Sequence, residues 1–146
     1  DELATVDVGQ YIEDLFTDLV RLNDVSDTIG YESEIDPGLA FDLTTMVPLG
    51  LLLNELITNS LKHAFKGRSE GLVRLSIHRV EGDAYDLRLG DNGVGFPMEK
   101  LQPDGTTLGT TLIESLVDQL NGRMTVDSSS EGTVYHIRFR GRAAHA

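Results

Sequence analysis

A chain of 146 residues, 40% of them hydrophobic, has the length for one domain with a real core and the composition of a soluble globular protein. A net charge of −12 argues against a non-specific grip on nucleic acid or direct contact with an anionic membrane, both of which need a basic surface. It does not exclude a nucleotide, because a phosphate site depends on local amides, one or two lysines and a metal ion. The absence of cysteine excludes disulfides and thiol catalysis and suits a cytoplasmic setting. The sequence has no apolar run long enough to span a membrane, and its acidic start, DELATVDVGQ, is unlike a signal peptide. It opens on Asp1 rather than methionine, as a piece of a longer chain would.

Residues 7–22 carry Val8, Tyr11, Ile12, Leu15, Phe16, Leu19 and Val20 at helical spacing and predict a helix. Residues 23–28 read as a polar connector. Two short strands, 31–35 and 39–43, are expected to join at the turn Asp36-Pro37-Gly38. Thr44 or Thr45 is the expected cap of the next helix, with Pro48 in its first turn and Gly67 stopping it after Lys66. Residues 72–80 alternate Leu72, Arg74, Ser76 and His78 against Val73, Leu75 and Ile77, which is a strand. Glu81-Gly82-Asp83 turns it into a returning strand, 85–89.

One helical turn is expected at 98–101, then a mobile loop at 102–107. A helix over 110–120 ends at Asn121-Gly122. Strands 124–127 and 133–139 flank a Ser-Glu-Gly turn. The expected domain is single, covering 1–146, with loose ends at 1–6 and 141–146. Hairpin-linked strands with few, long helices predict an α+β two-layer sandwich: a mixed, mostly antiparallel sheet with helices on one face.

The segment PLGLLLNELITNSLKHAF has an unusually ordered polar edge. At about 100° per residue, Glu55, Asn59, Lys62 and Lys66 share one stripe, with Thr58 beside it. The opposite arc is apolar apart from Ser60. A carboxylate can take a proton or orient a water, an amide oxygen is a hard ligand for Mg2+, and an ammonium neutralises phosphate. The same stripe also fits a plain solvated helix face.

Two glycine-containing stretches stand apart. In Asp91-Asn92-Gly93-Val94-Gly95-Phe96-Pro97, the aspartate sits where a strand ends, so its carboxylate is fixed and can accept from an exocyclic amine. An ordinary Asn-Gly turn is the competing reading. Leu108-Gly109-Thr110-Thr111 opens a helix, whose free amides bind phosphate; simple threonine capping is the alternative. There is no P-loop and no complete G-x-G-x-x-G. His63, His78, His136 and His145 lack metal-site spacing, and only His63 lies beside the polar stripe.

Taken together and in order, these stretches resemble the catalytic ATP-binding domain of sensor histidine kinases, of the gyrase, chaperone, kinase and mismatch-repair (GHKL) superfamily, closest to its HWE-like subgroup. NELITNSLKHAF is similar to the asparagine box, DNGVGFP to the first glycine box and TTLGTTLIESLVDQLNG to the second. Glu131-Gly132-Thr133 with Tyr135, Ile137 and Phe139 is similar to the closing Gly-Thr strand. VDVGQYIEDLFTDL resembles the segment that follows the dimerisation helices.

The resemblance implies a Bergerat fold that binds ATP and Mg2+. It implies Asp91 on the adenine amine with Thr133 assisting through water, Asn59 on Mg2+, and Lys62 with His63 on phosphate. It makes Gly93 and Gly95 the floor and hinge of a lid, and lets Gly109 and the adjoining Thr110 approach phosphate. Thr110 departs from the glycine or leucine that many kinases carry there. Glu55 matches the glutamate that orients water in hydrolysing members. The implied partners are a histidine-bearing dimerisation domain, on the same or another chain, and a response regulator. No histidine here lies in a phosphoacceptor context. The rival readings are an anti-sigma-type serine kinase, a hydrolysing ATPase and a domain that only binds partners.

Overall fold

The computed structural model describes residues 5–25, 28–95 and 108–142, the side chains of residues 108–110 excepted. In chain order the elements are β1 (Thr5–Asp7), α1 (Val8–Leu22), β2 (Ile29–Ile35), β3 (Ala40–Asp42) and α2 (Leu43–Asn59). After α2 come a π-helical turn (Ser60–Ala64), β4 (Gly71–Glu81), β5 (Ala84–Asp91), α3 (Leu108–Gln119), β6 (Arg123–Ser129) and β7 (Gly132–Arg140).

Five strands form one sheet in the order β2-β4-β5-β7-β6. Only the β2–β4 pair is parallel; β4–β5, β5–β7 and β6–β7 are antiparallel. The helices cover one face, so the expected two-layer α+β sandwich is the observed fold. The alternation in the strands explains the layering. Val73, Leu75 and Ile77 of β4, Tyr85, Leu87 and Leu89 of β5, and Tyr135, Ile137 and Phe139 of β7 are all buried. They share a core with Ile12 and Phe16 of α1 and Leu49, Leu52, Leu53, Leu56 and Ile57 of α2. Burying each such side chain stabilises the fold by roughly 1.5–3 kcal/mol. Packing of this kind, more than helix propensity, holds α2 on the sheet.

Three expectations differ from the structure. First, the turn at Asp36-Pro37-Gly38 forms, with Gly38 at φ +73°, but it does not make a hairpin. β2 pairs with β4 and β3 pairs antiparallel with β1. A parallel β2–β4 pair needs a crossover, and β3 with α2 supplies it. Second, the cap of α2 is Asp42, whose Oδ1 accepts from the Thr45 amide at 3.3 Å. The helix therefore starts at Leu43, and Pro48 lies inside it rather than in its first turn. Third, α2 is not regular as far as Lys66. It widens into the π turn after Asn59, and Phe65 follows as the C-cap. Gly67, at φ +75°, completes the reversal.

The start of α2 is tied to the end of β7. Asp42 N–H donates to the Arg142 carbonyl at 3.0 Å and Arg142 N–H donates to Thr45 Oγ1 at 2.8 Å. Arg142 Nε also lies 3.7 Å from Asp42 Oδ2, a carboxylate only 7% exposed. α3 begins at Leu108, two residues before its expected start. The expected helical turn at 98–101 and loop at 102–107 lie outside the described residues.

Candidate functional site

Asp91 closes β5 on the face that carries Tyr85, Leu87 and Leu89, so its carboxylate points toward α2. Ser60 Oγ donates to Asp91 Oδ2 at 2.9 Å. Gly93 N–H and Thr133 N–H donate to Oδ1 at 3.0 and 3.4 Å. Strand, glycine turn, β7 and the π turn after α2 thus all hold one carboxylate. Asn92 braces the strand end from the other side: its Oδ1 accepts from Leu72 N–H at 2.8 Å, and its own N–H donates to the Leu72 carbonyl at 3.2 Å.

The glycine turn docks on the end of the helix. Val94 N–H donates to the Ala64 carbonyl at 2.7 Å. A Cβ on Gly93 would collide with that same carbonyl, so only glycine permits the approach. Gly95 stands at φ +89° against the Ser129 carbonyl, where a side chain is excluded by both strain and space.

Asn59 ends α2 half-buried and hydrogen-bonds the Tyr135 hydroxyl. Tyr135 is 7% exposed, and burial pushes its phenol above the usual range, with the Asn59 bond pulling the other way. Thr133 is buried, and its hydroxyl is paired with Ser128 Oγ at 2.8 Å. Asn59, Ser60, Ala64, Asp91, Gly95, Thr133 and Tyr135 line one cleft between α2 and the sheet. A larger groove of about 740 Å3 opens beside Arg74, Arg88 and Gly90 and reaches Asp91 and Asn92 but not Asn59. Its Arg74 is already paired with Glu32 at 3.1 Å. The smaller cleft, closed to water as it stands, is the candidate site, because it unites the amide, the held carboxylate and the glycine turn.

The structure therefore brings together Asn59, Asp91, Gly95 and Thr133, with Gly93 packed directly behind. Glu55 precedes Asn59 by one turn and is half-buried; Lys62 is exposed and His63 half-exposed on the π turn. These three are not among the residues lining the cleft. Gly109 and Thr110 lie in the first turn of α3, with side chains outside the described set. Sequence reasoning missed Ser60 and Tyr135. Ser60 was visible as the one polar interruption in an apolar arc, and Tyr135 as the hydroxyl-bearing member of a buried strand face.

A part-buried carboxylate and a helix-end amide line one cleft against a mixed sheet. The profile described as "Histidine kinase-, DNA gyrase B-, and HSP90-like ATPase" matches residues 45–143, and the chain belongs to that family. It is 33% identical over 89 residues to blue-light-activated histidine kinase 2 of Erythrobacter litoralis, an overlap of 61% of this chain and 26% of that one. It is 34% identical over 94 residues to the serine-protein kinase RsbW of Listeria innocua, covering 55% of this chain and 59% of RsbW. The chain thus spans about a quarter of the first relative and under two thirds of the second.

Among solved structures, the histidine kinase domain of the Erythrobacter litoralis EL346 blue-light-activated kinase matches with a TM-score of 0.80 at 25% identity. That match covers 92% of this chain and 61% of that one. The mycobacterial sensor histidine kinase MprB shares the fold, with a TM-score of 0.71 at 21% identity over 96% of this chain and 99% of that one.

Proposed function

We propose that this chain is the ATP-binding catalytic domain of a sensor histidine kinase, transferring the γ-phosphoryl of Mg-ATP to a histidine on a separate dimerisation domain. The observation that carries the proposal is the shared cleft of Asn59 and Asp91. In this reading Asp91 accepts from the adenine amine, with Thr133 assisting through water. Lys62 and His63 meet the phosphates, and Gly109 and Thr110 open α3 toward them through free amides. Gly93 and Gly95 would form the floor and hinge of a lid.

Among the described residues no group of three His, Asp or Glu side chains can cage a metal. The amide oxygen of Asn59 at the cleft is a hard donor of the kind Mg2+ takes, since that ion keeps several waters and needs only one or two protein ligands beside phosphates. Asn59 would hold it through its amide oxygen, with Glu55 one turn away. Bound Mg2+ would supply neutralisation of phosphate charge. The protein's own contribution is positioning: the imidazole nitrogen attacks phosphorus as the bond to the β–γ bridging oxygen breaks, and ADP leaves. A response regulator would then take the phosphoryl group from the histidine.

Titration with ATP tests the site. Asp91→Asn turns part of the acceptor into a donor facing the amine. Hydrogen bonds to charged groups contribute about 1.5–3 kcal/mol, so a loss of at least about tenfold in affinity is expected. Unchanged affinity would remove Asp91 from the site.

The RsbW match supports a second reading, a serine-protein kinase. Phosphoamino-acid analysis separates the two, since a phosphohistidine is acid-labile and a phosphoserine is not. Steady ATP turnover abolished by Glu55→Ala would instead favour a hydrolysing ATPase.

A further inference from the structure

We infer that Ser60 is a positioning residue that sets base specificity, by leaving Asp91 one open acceptor position for one exocyclic N–H. The inference rests on the adenine reading of Asp91 and extends it. An ionised carboxylate offers about four lone-pair positions. Three are taken within the protein: Oδ1 by the Gly93 and Thr133 amides, and Oδ2 by the Ser60 hydroxyl. The fourth, on Oδ2, has no partner among the described residues' hydrogen bonds to Asp91, and a ligand would reach it only as the cleft, closed to water as it stands, opens. Ser60 is itself 4% exposed and lines the cleft, so water does not readily substitute for its hydroxyl.

Two backbone amides fix one oxygen, but a carboxylate held at one oxygen can still swing the other. The Ser60 bond removes that freedom. It also matters that Ser60 comes from the π turn after α2, while the amides come from β7 and from the glycine turn that follows β5. The carboxylate is clamped from two layers, and its remaining position is set by the packing between them. A base with an amine at this point donates to it. A base with a carbonyl there meets oxygen against oxygen and is rejected, a penalty larger than that of losing a hydrogen bond.

The test compares ADP with inosine diphosphate, which replaces the amine by a carbonyl, using calorimetric titration of the intact chain. Wild-type protein is expected to prefer ADP. Ser60→Ala is expected to weaken ADP binding by about tenfold and leave inosine diphosphate unchanged, so the preference collapses. Ser60→Thr keeps a hydroxyl and is expected to keep the preference, which separates loss of the hydroxyl from general disturbance of a buried position.

A role confined to stability would lower the melting temperature of Ser60→Ala without moving the ADP-to-inosine ratio, and that result would overturn the inference. So would a ratio that collapses equally in Ser60→Thr. A wild-type protein that binds the two nucleotides alike would instead overturn the adenine reading of Asp91, a distinguishable failure.

Discussion

That Asp91 and Asn59 line one cleft follows from features legible in the sequence: a carboxylate at a strand end and an amide on an ordered polar stripe. Ser60 was assigned to the apolar arc, and it is indeed buried. In the proposed reading, burial and function at Ser60 are not alternatives. The arc that faces the core also faces Asp91, so a hydroxyl there is aimed at the carboxylate. Tyr135 behaves similarly, its ring in the core and its hydroxyl on Asn59. Tyr135→Phe keeps the ring and frees the amide to rotate. Affinity for Mg-ATP is expected to fall several-fold while affinity for ATP in the presence of a chelator stays unchanged. Equal loss in both titrations would assign Tyr135 to packing alone. Gly93→Ala places a methyl on the Ala64 carbonyl. Overpacking against backbone is expected to destabilise the fold by about 1–3 kcal/mol, read from the urea midpoint.

The elements set by local signals came out close to their expected bounds: α1, the β4–β5 hairpin at Gly82 and the β6–β7 hairpin. Partner choice did not. β2 finds β4 only because Ile29 and Gly71, 42 positions apart, stand opposite each other across a crossover. Alternation within one strand carries no information about which neighbour it meets. The cap of α2 was misplaced for a related reason. Thr44 and Thr45 are good local caps, but Asp42 is both a cap and the partner of Arg142 from the far end of the sequence. Asp42→Ala is expected to cost about 0.5–2 kcal/mol for the cap, measured by urea unfolding; no change would mean that Thr45 takes over. The π turn was invisible as well, since helical periodicity assumes one pitch throughout.

Over the whole molecule, the acidic charge is unevenly organised. The outer sheet face carries a ladder of pairs, Arg74–Glu32, His78–Asp36 and the cluster of His136, Arg138 and Arg88 around Asp86. Burial pushes the Asp86 carboxyl up, but its hydrogen bonds from His136 and Arg138 and the surrounding cations outweigh that and hold it below the usual range. The Asp36 hydrogen bond raises the His78 imidazole above its ordinary 6.5, and the same bond holds Asp36 below 3.8.

The signs define a window. His78, raised in the folded state, contributes fully below pH 6.5, and its contribution is lost as pH climbs through the folded value. Asp36, lowered, contributes fully above pH 3.8 and loses its contribution as pH drops through its folded value. Both groups are solvent-exposed, so the effect is modest. His78→Gln is expected to flatten the decline in urea midpoint above pH 6.5; an unaltered profile would show that the pair is stabilising nothing.

The clasp between Arg142 and the first turn of α2 bears on the order in which the molecule assembles. The amide-bearing helix is sealed at its entrance by backbone from nearly one hundred positions downstream. While the chain is emerging from a ribosome, that entrance stays open until the last strand has been released and has joined the sheet. In the proposed reading, nucleotide affinity is expected only once β7 has joined the sheet, because β7 both leads into this clasp and supplies Thr133 and Tyr135 to the cleft.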